Sequence, residues 1–183
     1  MLRIVHFITE LDELFGFYFD CTIAAHFALE RLSNLQTERD LPDSAHAIYG
    51  DTAPSEPPEV EARRGPLATT FGHLKDRLSP RGFNIQRAAE ATIILTYHVW
   101  DERYRSNCVK KDGRPIGKIN SDIFGDLRLI RNSIIHNKGV ATPDVERCKI
   151  FKKFTTGDRI ILTDEDMFSI LRSIKSDLQQ YDL

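Results

Sequence analysis

Apolar residues recur at helical intervals along the first 37 positions. Ile4, Ile8, Leu11, Phe15, Tyr18, Thr22, Ala25, Leu29 and Leu32 share one face, and residues 2–37 contain no proline and one glycine, Gly16. The spacing predicts one long helix with a wide apolar face and a candidate kink at Gly16. Phe15, Phe17, Tyr18 and Phe19 are more aromatic residues than one face can hold. They predict burial on two sides, against the helical bundle and against a partner.

The pattern then breaks. Residues 41–66, LPDSAHAIYGDTAPSEPPEVEARRGP, hold five prolines and two glycines without hydrophobic periodicity, which predicts a loop or insertion. Helical pattern resumes over 67–78, stops at Ser79-Pro80 and restarts near Asn84 as NIQRAAEATIILTYHVWDERYRSN. KKDGRPIGKIN, 110–120, is another loop. Asn120 or Ser121 is placed to cap the next helix, with Asp122 in its first turn and Gly139 past its end. Alternation in CKIFKKF and RIILT predicts a small β-hairpin near 148–163, turning at Thr156-Gly157-Asp158. Thr163, followed by Asp164, Glu165 and Asp166, starts a terminal helix, since early carboxylates suit the positive helix end. The expected fold is mostly α: a single domain over 1–183, an up-and-down bundle of four to five helices with one small hairpin.

Composition narrows the function classes. A chain of 183 residues with 41% hydrophobic and 28% charged positions is ordinary for a globular protein. A net charge of −2 advertises no global nucleic-acid binding, so any basic surface must be local or built by assembly. Cys21, Cys108 and Cys148 are scattered without C-x-x-C spacing, which fits a reducing compartment better than a zinc site or a disulfide framework. The apolar start carries Glu10, Asp12 and Glu13 and fits neither a signal peptide nor a membrane span, so a cytoplasmic protein without membrane contact is expected. Phosphate-binding glycine loops, a G-x-S-x-G elbow and a catalytic cysteine context are not found, and His6, His26, His46, His73 and His98 suggest no metal ligand. No cofactor is expected.

The chemistry concentrates in DLRLIRNSIIHNKGVA, residues 126–141. At ~100° per residue, Ile123, Leu127, Ile130 and Ile134 form a core stripe. Gly125, Leu129, Asn132 and His136 occupy the opposite side, with a glycine that admits another backbone and a leucine that favours burial. A second contact surface, a homodimer interface through Gly125 and Leu129, is the economical explanation. Asn132 and His136 are i, i+4 neighbours, so the amide is placed to bond the imidazole and fix its tautomer. Arg131 lies ~140° around the helix from His136, so a two-fold partner would bring a second arginine–histidine set within reach.

The RNSIIHNKG sequence at the end of a bundle helix resembles the HEPN superfamily of α-helical proteins. VWDERYR at 99–105 and GDRI at 157–160, before a terminal helix, strengthen the likeness over roughly residues 85–183. The resemblance implies a dimeric, metal-independent endoribonuclease in a defence or toxin–antitoxin setting, leaving 2′,3′-cyclic phosphate ends. His136 would move protons, Arg131 would fork onto the phosphate and Asn132 would orient the histidine or bind an oxygen. It equally implies an alternative, a catalytically silent module binding a nucleotide, an RNA or a protein. An antitoxin or regulatory protein is an implied partner. The H-x-Y continuation of related toxins is absent, since Asn137 and Lys138 follow His136, which argues against regulation through that tyrosine.

RNA would need cations. Arg103, Arg105, Lys110, Lys111, Arg114 and Lys118 stand against one acid, Asp112, and Arg128 and Lys138 flank the motif. Tyr104 is a candidate for base stacking and Glu102 for a supporting role at the site. A structural account competes with these roles: Arg131 paired with Asp126 or Glu102, and His136 held by the helix dipole.

Overall fold

The computed structural model describes residues 2–48, 68–105 and 121–179, and is mostly helical. In chain order the elements are α1 (Leu2–Arg39), β1 (His46–Ile48), β2 (Ala68–Thr70), α2 (Phe71–Leu78), α3 (Phe83–Val99), a π-helical turn (Trp100–Arg105), α4 (Asp122–His136), a 3-10 turn (Pro143–Arg147) and α5 (Asp164–Leu178). Residues 49–67 and 106–120 lie outside the described residues, and with them Lys110, Lys111, Arg114, Lys118 and most of the 41–66 insertion. No helix among the described residues is long and apolar enough to cross a membrane. The chain forms two compact units, Met1–Cys21 with Gln86–Leu183, and Thr22–Ile85.

The smaller unit holds the only named strands among the described residues, an antiparallel pair in which His46 faces Thr70 and Ile48 faces Ala68. Thr70 caps α2 by accepting from the His73 N–H at 3.2 Å, and Lys75 pairs with Asp43 at 2.6 Å. Three-residue strands are too short to print an alternation, so 46–48 read as loop and 68–70 as the start of a helix.

In the larger unit Phe7, Leu11, Phe15 and Tyr18 of α1 are buried at i, i+4, i+8 and i+11, one stripe of the helix. Phe17 points away and is half exposed. Thr92 Oγ1 of α3 donates to the Leu14 carbonyl at 3.3 Å, and Lys175 of α5 pairs with Asp12. Ile123, Leu127, Ile130 and Ile134 of α4 are all buried, as is the Met167, Ile170, Ile174, Leu178 stripe of α5. Thr163 and Asp166 close a reciprocal capping box at the start of α5.

Residues 148–163 form no hairpin, which corrects the expectation from alternation. The turn itself exists: Gly157 has φ +89°, and the Asp158 carboxylate accepts from the Thr155 N–H and hydroxyl at 2.7 and 2.9 Å. Its arms have other partners. The N–H groups of 149–151 donate to Asp126, while Gly157 and Ile160 donate to the carbonyls of Ala141 and Gly139. What resembled a ladder is one bridge, Val140 to Arg159. The alternation reflects burial of Cys148, Phe154, Ile160 and Leu162 against the helices.

Candidate functional site

Helix α4 is fixed at both ends. Ser121 accepts from the Phe124 N–H at 3.3 Å and donates to Asp177 of α5 at 2.6 Å. At the other end the Asn137 and Gly139 N–H groups both reach the Ser133 carbonyl, at 3.1 and 3.2 Å. Lys138 and Gly139 are left-handed, φ +53° and +75°, so the chain reverses at once. A side chain at Gly139 would meet Glu90 Oε1 at 3.3 Å, a second reason for glycine there. Midway, Asp126 is 2% exposed and accepts backbone N–H bonds from Lys149, Ile150 and Phe151 at 2.8, 2.7 and 2.8 Å. Asp126 is therefore a brace between α4 and the following segment, and is not the partner of Arg131.

Arg131 pairs with no carboxylate among the described residues. Its Nη1 donates to Asn132 Oδ1 at 3.2 Å, its Cζ lies 5.7 Å from the Tyr97 ring centre, and its Nε is buried without a partner. The guanidinium therefore lies toward Asn132, which is on the side of α4 that carries His136. Asn132 Oδ1 thus receives the guanidinium, and no bond joins Asn132 to the imidazole. His136 is exposed and has no hydrogen-bond partner among the described residues. Gly125 is open, with nothing within 4 Å of a Cβ placed on it. Leu129 is only 8% exposed, so its own chain supplies the burial that suggested a partner.

A groove of about 390 Å³ runs beside this face, between α4, the π-helical turn and the 147–149 segment. Arg105, Arg128, Arg147 and Lys149 line it, with Asp122 and Asp126 opposing them. Arg105 is held by Asp101 at 2.7 Å, Lys149 by Asp122 at 2.7 Å and Arg147 by Asp144 at 3.3 Å. Arg128 is exposed and has no ion pair among the described residues. Tyr97 lines the groove at 9% exposure, and its hydroxyl has no protein partner there. Burial pushes its phenol pKa up and Asp101 adds to this, while Arg128, Arg105 and Arg131 pull it down. Four charged side chains thus converge on one phenol. The floor is Trp100, stacked on Phe124 with centroids 4.1 Å apart and 2% exposed.

Of the residues expected to bind RNA, the structure brings Arg105 and Arg128 to the groove. Arg103 pairs with Glu10 at 2.6 Å, and Tyr104 donates to the same carboxylate at 3.2 Å with its ring 4.3 Å from Phe7. Burial, then Glu10, raises the Tyr104 phenol. Glu102 is exposed and has no partner among the described residues, while Lys138 is exposed with its carbonyl taken by Arg159. Sequence reasoning missed Tyr97, Arg147 and Lys149. Lys149 sat in a segment read as strand and Arg147 just before it, and only the ERCK run of charges hinted at them. Comparison with protein-family models, with curated proteins and with solved structures gave no match.

Proposed function

We propose that the chain is a metal-independent endoribonuclease of HEPN type, acting as a homodimer in a defence or toxin–antitoxin setting. The observation that carries the reading is a bare guanidinium–amide–imidazole set on one helix. Arg131 is bound to Asn132 without a neutralising carboxylate among the described residues, and His136 stands exposed one turn beyond. In RNA cleavage the 2′-oxygen forms a bond to phosphorus as the bond to the 5′-oxygen breaks. One proton leaves the 2′-hydroxyl and one joins the 5′-oxygen. His136 would take the first proton as base and deliver one to the 5′-oxygen as acid. Arg131 would hold the non-bridging oxygens, where negative charge builds up. The product is a 2′,3′-cyclic phosphate and a free 5′-hydroxyl.

A second reading, a catalytically silent binding module, is favoured by one feature: the imidazole has no hydrogen bond among the described residues to set its tautomer. The two readings part in one experiment. Purified wild type and His136→Ala are incubated with mixed cellular RNA in excess EDTA, and the ends are sequenced. Cutting by the wild type alone, with cyclic phosphates, supports the nuclease. RNA left whole by both supports the silent module, and equal cutting by both rules out His136.

A further inference from the structure

We propose that the groove lined by Tyr97 and Arg128 binds a backbone phosphodiester of a single nucleic-acid strand, and does so without reading its bases. Arg128 offers the groove a guanidinium that no carboxylate among the described residues holds. Tyr97 adds a hydroxyl without a partner among the described residues, on a side chain nine-tenths buried in the groove wall. The hydroxyl is not among the buried unpartnered atoms and so reaches solvent, where a ligand oxygen can replace water as its acceptor. A guanidinium fork and a phenol match the two non-bridging oxygens of a phosphodiester.

The other cations can join at little cost. Arg147 and Asp144 are 71% and 62% exposed at 3.3 Å, and Lys149 and Asp122 are 66% and 47% exposed, so each pair contributes little and yields readily to a phosphate. Asp126 faces the groove, but three backbone N–H bonds hold its carboxylate. Gly125 also lines the groove, and the space above it is open, so a strand can approach the helix backbone there. Bases find no stacking face, because Trp100 is covered by Phe124. Recognition therefore rests on phosphate and tolerates any sequence.

One extension rests on the ribonuclease reading. Arg128 and His136 are eight residues apart on α4, about 12 Å of helix. At ~3.4 Å per stacked nucleotide, a strand held at Arg128 reaches His136 within three or four nucleotides.

The test measures fluorescence anisotropy of labelled 12-nucleotide uridine RNA and thymidine DNA, with His136→Ala protein as the uncleaving background. Both strands are expected to bind within about threefold of each other. Arg128→Glu should weaken both at least tenfold at 50 mM salt and flatten the salt dependence, and Tyr97→Phe should weaken both about threefold. Arg172→Glu, the same charge change outside the groove, should alter neither by more than about twofold. Equal losses in Arg128→Glu and Arg172→Glu would overturn the groove, as would no binding at all or binding of RNA alone. Binding that follows this pattern while wild type fails to cut RNA upholds the groove and sinks only the nuclease.

Discussion

The Arg131 guanidinium donates to the side chain of its own neighbour, Asn132, at 3.2 Å, and to no acid among the described residues. Two adjacent helix residues normally diverge by ~100°, so this contact bends Arg131 back toward the face that carries His136. A structural arginine in a helical protein usually ends on a carboxylate. This one lies beside Tyr97 with one buried nitrogen unpartnered.

Stability and activity should therefore separate at Arg131. Arg131→Lys keeps a charge but loses the fork and the bond to Asn132. Loss of the contact with Tyr97 should cost about 1 kcal/mol, whereas cleavage should fall on the order of a hundredfold or more. Thermal melts and cyclic-phosphate formation measured on the same preparation check this. A large fall in melting temperature with proportional loss of cleavage would mark Arg131 as structural.

Asp126 should behave in the opposite way. Its carboxylate satisfies three backbone donors, from Lys149, Ile150 and Phe151, and is 2% exposed. Asp126→Ala leaves those donors without an acceptor and should destabilise the fold by about 3 kcal/mol or more. Urea unfolding measures it. The expected result is a fall in midpoint with an unchanged slope.

The contrast between these residues shows what was legible in the sequence. The Ile123, Leu127, Ile130, Ile134 stripe and the Thr163 helix start were readable because period and capping are local properties, and both occur as expected. Asp126 and Arg131 look like an i, i+5 acid–base pair in sequence. The partners of Asp126 lie 23 to 25 residues downstream, and Arg131 turns to its neighbour Asn132 and to Tyr97 on α3, so the expected pair does not form. The small antiparallel pair lies at 46–48 and 68–70 instead of 148–163 for a similar reason. Backbone N–H groups that would have formed a ladder over 148–163 donate to Asp126 and to the carbonyls of residues 139 and 141. Arg103 and Tyr104 read as free in the chain, yet Glu10, 93 and 94 residues earlier, takes both.

Cys148 should be inert. Burial, with the Asp126 carboxylate adding to it, pushes its thiol pKa up to about 12. At pH 8 that leaves on the order of one thiolate in ten thousand, and the thiolate is the reactive form. Peptide-resolved mass spectrometry after iodoacetamide treatment should find Cys148 alkylated at least a hundredfold more slowly in the native protein than in urea. Comparable rates would mean that the Asp126 brace opens readily.

Asp166 should give the fold part of its acid sensitivity. Burial alone would raise its carboxyl, but the Lys153 ion pair and the bonds from Thr163 outweigh burial and hold it below the usual aspartate range. A depressed folded pKa means that the contribution is complete above the unfolded value, near ~3.9, and is lost as the pH falls through the folded value. Between pH 5 and pH 3 the melting temperature of wild type should fall more steeply than that of Asp166→Asn. Thr163→Ala should cost about 1 kcal/mol at neutral pH through the same cap. Parallel pH curves for wild type and Asp166→Asn would remove the carboxylate from this role.

A composite dimer site makes a sharper prediction than any single substitution. Leu129 is buried by its own chain, so the dimer reading now depends on open Gly125 and on the geometry of Arg131 and His136. Five residues separate that pair, about 7.5 Å along α4, and Arg131 turns toward Asn132 while the imidazole is unheld. If each site combines Arg131 of one protomer with His136 of the other, Arg131→Ala and His136→Ala are inactive alone but complement when mixed. Random exchange makes half the dimers heterodimers, each with one intact site of two, so about a quarter of wild-type cleavage should return. Activity that returns with the kinetics of subunit exchange would establish the shared site. If the mixed dimers form, as mass measurement would show, and cleavage stays at zero, Arg131 and His136 act within one chain.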